Sequence, residues 1–319
     1  MTKKLKVGIV GYGNLGMAVE QNLANNSEME LIAIFSKRNV KSNLGNKVEN
    51  ANNIYKYEGE IDVLFLCGGS YDEVENTALA LCQKFDTIDC FDTHAKMQVY
   101  SQNLNKITKE NKRISLYACG WDPGLFSVMR SLFESICEKN VQTFWGKGVS
   151  QGHTNALKQI DGIVDALQYT IPNKKVLAKC KNDCDYDVDN NQKHVRLCYV
   201  VKDKKANKKQ IVKYIKSVPN YFQGQKVITK FVSQNKLNKL KHDKSHKGEV
   251  FGKLHLCNKT FSMNFDLKLE SNPIFTARVM LVCARALINL KYAHKYGAYS
   301  MLDLPIKYLQ TDSKDISNL

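Results

Sequence analysis

At 319 residues the chain exceeds the usual single-domain size of about 100–200 residues, so two domains are expected, each able to bury its own core. Hydrophobic residues make up 43% and prolines number only 5, which excludes a disordered chain. The net charge of +16 raises nucleic acid as a partner class, but the lysine runs at 204–209 and 236–247 lack interleaved aromatics. The charge therefore reads as a bias spread over solvated faces, and no nucleic-acid partner is expected. No run reaches the roughly 18 apolar residues of a membrane span, and Met1 to Lys6 leads straight into Val7–Val10 without a cleavage pattern. A cytoplasmic protein with no membrane partner is the expectation. Ten cysteines, scattered from Cys67 to Cys283 without a C-x-x-C, read as free thiols, and no metal is expected.

In chain order, Leu5–Val10 is an apolar run, followed by a glycine-rich turn, an amphipathic stretch through Leu23, and further apolar runs at Leu31–Phe35 and Val63–Cys67. This spacing predicts a βαβ unit and another strand. Val74, Ala78, Leu81 and Cys82 recur at helical spacing, and Thr87–Phe91 and Ile114–Ala118 read as short buried strands of a doubly wound parallel sheet. Beyond Gly120 the pattern predicts helices over Phe126–Cys137 and Ala156–Tyr169. Strands follow at Arg196–Val201, Gln225–Val232, Gly252–Leu256 and Thr260–Leu269, with the alternation of an antiparallel sheet. Thr276–Ala293 is apolar on most faces and reads as a buried helix, while Lys179–Lys193 and Lys236–Lys247 read as loops. The expected class is α/β: a doubly wound domain over 1–120, then an α+β domain over 121–294 with a largely antiparallel sheet.

Gly11-Tyr12-Gly13-Asn14-Leu15-Gly16 is a G-x-G-x-x-G run placed directly after a strand and before a helix, the context of a Rossmann dinucleotide site. Gly11 permits the tight turn, Gly13 lets a pyrophosphate approach the helix N-terminus, and Gly16 lets helix pack on strand. At the end of the second strand, where an NAD enzyme carries an acid for the ribose diol, the chain reads Ser36-Lys37-Arg38. A hydroxyl and two cations suit a ribose 2′-phosphate, so NADP is the expected cofactor. Cys67-Gly68-Gly69-Ser70 places small residues at the end of the third strand, where the cofactor would enter.

Four further patterns stand together: Phe91-Asp92-Thr93-His94, Cys119-Gly120-Trp121-Asp122-Pro123-Gly124, Phe144-Trp145-Gly146 and Ser150-Gln151-Gly152-His153. With Gln168–Pro172, Asn220-Tyr221-Phe222 and Asn272–Ala277, they make nearly the whole chain resemble the meso-diaminopimelate dehydrogenase family. The resemblance implies NADP-dependent, reversible oxidative deamination at the D-centre of meso-2,6-diaminopimelate, giving L-2-amino-6-oxopimelate and ammonia, in diaminopimelate and lysine biosynthesis. It implies that Asp92 and Asp122 stand beside the reacting amine, that Trp121 and Trp145 shape the pocket, and that Gln151 and Gly152 meet the nearby carboxylate. Thr170, Arg196, His246 and Asn272 would hold the unreactive L-end. Cofactor contacts are implied for Cys90, Phe91 and Asp92, and for Cys119, Gly120, Trp121, Asp122 and Pro123. A homodimer is implied, as is a C-terminal segment, about 295–319, that packs back on the nucleotide domain.

The chemistry asks for these residue types independently. Hydride leaves an α-carbon only when its nitrogen is a free amine, so an ammonium must first lose a proton, and a carboxylate can accept it. Asp122 is the preferred base with Asp92 as helper; a water relay or His153 stays open. Singly, Asp122 also suits a helix start, Trp145 a core and Arg196 a surface charge. His242 offers a second register for His246. The rival enzymes are other NADP-dependent Rossmann dehydrogenases of amino-acid metabolism, such as relatives of dihydrodipicolinate reductase or saccharopine dehydrogenase. A non-enzymatic NADP sensor is the rival from another class.

Overall fold

The computed structural model describes residues 4–69, 73–137, 141–183, 186 and 188–310. Its elements are β1 (Leu5–Val10), α1 (Asn14–Leu23), β2 (Met29–Ser36), β3 (Val48–Asn50), β4 (Val63–Leu66), α2 (Val74–Leu81), β5 (Asp86–Asp89), α3 (Met97–Glu110) and β6 (Ile114–Tyr117). Then come α4 (Leu125–Cys137), β7 (Val141–Trp145), β8 (Gly148–Val149), α5 (Gln151–Lys158), β9 (Ile163–Pro172), α6 (Lys174–Asn182), α7 (Asn190–Lys193), β10 (His194–Lys202), α8 (Lys208–Ser217), β11 (Lys226–Phe231) and α9 (Gln234–Leu240). The chain continues through β12 (His246–Leu256), β13 (Lys259–Leu269), α10 (Asn272–Tyr292) and β14 (Gly297–Ser300). It divides into two compact units, 1–128 with 273–319, and 129–272.

The first unit is built on a seven-stranded sheet in the order β14-β6-β5-β4-β1-β2-β3, parallel throughout. The central strands β1, β2 and β4 are largely apolar because helices cover both faces. One core layer gathers Val7, Ile9, Val63, Phe65 and Ile88; the other gathers Phe35, Leu64, Leu66, Phe85 and Tyr100. Helix α3, whose buried Tyr100, Leu104 and Thr108 recur every fourth residue, is an amphipathic element that the reading of the sequence passed over.

The buried helix near the C-terminus is α10. Its length and composition would let it cross a membrane, but Ala277, Met280, Cys283, Ala284 and Leu287 are fully buried in the core of the first unit. Lys291 at its end reaches Asp86 at 2.9 Å, and Arg285 meets Glu28 at 2.8 Å. A boundary at 294 thus falls beyond this helix, which lies with the nucleotide sheet and not with the 129–272 unit. After it, β14 joins the sheet edge beside β6; residues 311–319 of the expected returning segment lie outside the described ones.

The second unit carries an antiparallel sheet, β13-β12-β7, and a four-stranded sheet, β11-β10-β9-β8, antiparallel except for the pair β10–β11. Two expectations fail here. The predicted helix 156–169 is a helix only through Lys158, after which the chain turns at Gly162 and becomes strand β9. Ala166 to Thr170 are buried in unbroken succession at the centre of a sheet, so period-two alternation, the signal of a half-buried strand, is missing. The polar stretches Lys179–Lys193 and Lys236–Lys247, expected as loops, hold the last turn of α6 (through Asn182) and all of α7, and most of α9 with the start of β12. Side-chain caps close α6 and α9: Asn173 accepts from the Lys175 amide and Ser233 from that of Lys236.

Candidate active site

In the first unit, Gly11 has φ +93°, and a Cβ on Gly16 would stand 2.1 Å from the Gly11 carbonyl oxygen, so helix α1 can lie this close only without one. Above Gly13, which begins α1, a Cβ would meet nothing within 4 Å. That open space at the N-terminus of the helix fits a pyrophosphate. At the end of β2, the Ser36 hydroxyl accepts from the Arg38 amide at 3.1 Å, and the Arg38 guanidinium donates to the Tyr12 carbonyl at 3.1 Å. This brings the predicted basic turn onto the glycine motif. Lys37 is exposed and leans toward Glu73, 3.5 Å away. Cys67 is buried and its thiol is pushed far up by burial; Gly68 and Gly69 follow it, and Ser70 lies outside the described residues.

Two loops at the ends of β5 and β6 carry the predicted carboxylates. Asp92 is exposed, next to buried Phe91 and half-buried Cys90; Asp122 is half-buried between buried Trp121 and Pro123. The second loop closes on itself: the Gly120 amide donates to the Pro123 carbonyl at 3.0 Å, and Leu125 and Phe126 donate back to Gly120 and Trp121. Trp121 packs edge-on against Phe126, with ring centroids 5.1 Å apart. Buried Asp89 joins both loops. Its carboxylate accepts from the Phe91 amide at 2.9 Å, the Ala118 amide at 3.4 Å and the Tyr100 hydroxyl at 2.5 Å, and its carbonyl accepts from the Cys119 amide at 2.8 Å. Burial pushes this carboxyl up to about 6, against the pull of those hydrogen bonds.

In the second unit, strands β8, β9 and β10 set Gly148, Thr170 and Arg196 side by side in register. The Arg196 guanidinium donates to the Thr170 hydroxyl at 2.8 Å, and its Nε is buried without a hydrogen-bond partner. Burial alone draws Arg196 down to about 10, and no carboxylate among the described residues counteracts it. The His246 ring lies over Gly148, where a Cβ would come within 2.1 Å of it, so the register of His246, not His242, reaches this cluster. His242 is exposed on the turn after α9.

Trp145 ends β7. Its amide donates to His194 Nε2 at 2.8 Å, and the Arg130 guanidinium lies 5.6 Å from its ring centre. Gln151 and Gly152 open α5, where Gln151 is exposed and donates to Asn155; Asn272 donates its amide to the Lys244 carbonyl at 2.9 Å. The sequence reading missed His194 and Gln168. The latter is fully buried, donates to Thr170 at 3.4 Å and keeps an unpartnered Oε1. The signal for Gln168 was a polar residue inside an apolar run; His194, with Lys193 before it and Arg196 two residues on, gave none.

Three histidines of this unit are held neutral. Burial depresses His153 to about 3, helped by the Arg196 charge and opposed by the Tyr221 backbone; His194 falls to about 3 and His246 to about 4 from the same burial. An unfolded histidine binds its proton near pH 6.5, whereas these stay unprotonated in the fold until about pH 3–4. The unfolded chain therefore binds more protons across that window, and stability must fall as pH drops, by up to roughly 1.4 kcal/mol per pH unit for each group. Asp89 works in the opposite direction, but it is one group against three. Urea titrations at pH 7.5, 6.5 and 5.5 should show a falling midpoint, and a midpoint that rises toward pH 5.5 would contradict the neutral assignments.

Residues 120–271 match the family model described as the diaminopimelic acid dehydrogenase C-terminal domain. The chain is 38% identical to the meso-diaminopimelate D-dehydrogenase of Ureibacillus thermosphaericus, over 98% of this chain and 97% of that one. A meso-diaminopimelate dehydrogenase of Clostridium tetani with six substitutions, solved with DAP, superposes with a TM-score of 0.90 at 37% identity, covering 97% of each chain. An engineered D-amino acid dehydrogenase bound to NADP+ superposes with a TM-score of 0.91 at 30% identity, covering 99% of this chain and 98% of that one. With its parallel nucleotide sheet, its separate antiparallel sheet and this identity over almost its full length, the chain belongs to the meso-diaminopimelate D-dehydrogenase family of oxidoreductases.

Proposed function

We propose that the chain oxidatively deaminates meso-2,6-diaminopimelate at its D-centre with NADP, releasing L-2-amino-6-oxopimelate and ammonia, and runs reversibly as a reductive amination. The observation that carries this reading is Arg196, a guanidinium drawn into the second unit with Thr170 beside it and a buried Nε unpartnered. A half-buried cation with a buried, unpartnered Nε and no carboxylate beside it among the described residues is costly, and a ligand carboxylate would complete it. Five of the positions substituted in the Clostridium tetani enzyme are a glutamine, a threonine, an arginine, a histidine and an asparagine. In this chain Gln151, Thr170, Arg196, His246 and Asn272 follow in the same order, with equal intervals through the histidine and one residue's difference before the asparagine. That agreement supports assigning Thr170, Arg196, His246 and Asn272 to the L-end, and Gln151 with Gly152 to the carboxylate beside the reacting carbon.

On this reading Gly11, Gly13 and the N–H groups at Asn14 and Leu15 hold the pyrophosphate, Tyr12 lines it, and Ser36, Lys37 and Arg38 take the 2′-phosphate. The 67–69, 90–92 and 119–123 segments complete the cofactor wall, and Ser70, expected beside them, lies outside the described residues. When bound, NADP supplies the hydride acceptor. Asp122 takes the proton from the substrate ammonium, Asp92 stabilises the cation that develops on nitrogen, and Trp121 and Trp145 shape the pocket; water then adds to the iminium carbon, supplies the carbonyl oxygen and expels ammonia. The reading includes a homodimer, for which exposed Leu132, Ile136, Leu256 and Phe261 of the second unit offer apolar area; sedimentation would test it.

The deciding assay is NADPH formation from meso- and from LL-diaminopimelate, each with NADP and with NAD. Activity restricted to the meso isomer and NADP supports the reading; NADPH binding without turnover of either would favour a sensor. Arg38→Ala removes a charge-assisted pair worth about 1.5–3 kcal/mol and should weaken NADP while leaving NAD nearly unchanged. Equal losses for the two cofactors in a fluorescence titration would remove Arg38 from the 2′-phosphate site.

A further inference from the structure

Behind the glycine motif lies a carboxylate that the reaction does not use. Glu20, on α1, is 1% exposed and nevertheless held below the usual carboxylate range: burial pushes it up, but hydrogen bonds from Asn46, Ser42 and Tyr12 outweigh burial. Its Oε1 accepts from the Ser42 hydroxyl and, at 2.7 Å, from the Asn46 side-chain amide, and its Oε2 accepts from the Tyr12 hydroxyl. The turn after β2 is wound around these groups. Ser42 Oγ accepts from the Asn46 amide at 2.8 Å and the Leu44 amide at 3.1 Å, and the Asn43 amide donates to the Tyr12 hydroxyl at 2.8 Å. Tyr12, 6% exposed, is the residue whose carbonyl holds the Arg38 guanidinium.

An acid beside a site for a phosphate dianion would repel it if exposed. Glu20 is turned inward instead, with its charge spent on donors from the motif and from the turn. We propose that Glu20 is a positioning residue for cofactor choice: by tying Ser42 and Asn46 to Tyr12 it fixes the 37–46 turn, so that Arg38 waits in the geometry a ribose 2′-phosphate requires. The inference rests on the 2′-phosphate reading of Arg38. Pre-ordering the turn removes an entropy cost that binding would otherwise carry, and only a ligand with the 2′-phosphate benefits.

The test is a pair of fluorescence titrations, NADPH and NADH, on the full chain and on Glu20→Gln, which keeps the shape but replaces one acceptor oxygen by a donor. The expected result is a loss of about tenfold in NADPH affinity with NADH changed less than about twofold. Combined with Arg38→Ala, the substitution should add little, because the group it positions is already gone. If Glu20→Gln does not fold, Ser42→Ala with Asn46→Ala opens the same turn and should show the same selective loss. Equal losses for both nucleotides, or none for NADPH while Arg38→Ala does weaken it, would overturn the role of Glu20 alone. An Arg38→Ala variant with unchanged NADPH affinity would instead overturn the phosphate reading beneath it.

Discussion

Asp122→Asn is expected to lower kcat and kcat/KM for meso-diaminopimelate together, by about 100- to 10,000-fold, the range a positioned general base supplies. The substitution keeps the side-chain shape, and the loop that presents it is braced by its own backbone hydrogen bonds between Gly120 and Phe126 and, from beneath, by Asp89. Loss of the proton acceptor, not loss of the loop, is then what the kinetics read. Steady-state rates at saturating substrate decide it: a variant with normal kcat would rule out Asp122 as the base and pass the role to Asp92, His153 or a water.

The other large effect belongs to Arg196. Its substitution by Met should cost on the order of 2–4 kcal/mol in kcat/KM for meso-diaminopimelate, because the distal carboxylate loses the cation that positions the reacting carbon. The folded protein should not suffer: the guanidinium belongs to a half-buried side chain whose side-chain partner among the described residues is Thr170, and replacing such a charge by a thioether is close to neutral. A simple D-amino acid without the second carboxylate should react as before or somewhat better. Measuring kcat/KM for the two substrates beside the melting temperature separates anchoring from damage, and equal losses on both substrates at an unchanged melting temperature would show that Arg196 does not read the distal end.

The glycine turn and the basic turn of the first unit were legible in the sequence because each is local. Gly11, Gly13 and Gly16 lie within one strand-turn-helix, and Ser36-Lys37-Arg38 closes its own turn through Ser36, with Arg38 reaching back to Tyr12. The motifs at 119–124 and 150–153 were likewise contiguous. What is contiguous keeps its geometry wherever the chain goes.

The remainder depended on partners far along the chain. Strand β9 looked helical because its centre, Ala166 to Thr170, is buried without alternation, so only its pairing with β8 and β10 identifies it. That same pairing sets Thr170 against Arg196, and the approach of His246 over Gly148 chooses its register, neither of which any local spacing encodes. Glu20 read as one more polar position on an amphipathic helix until the turn at 42–46 folded onto it. By itself the sequence determined the fold class, the cofactor and the family, which rest on short-range stereochemistry and contiguous motifs. The tertiary structure decided which buried polar groups share a partner, because a buried hydrogen bond or charge has no definite cost until its surroundings are in place.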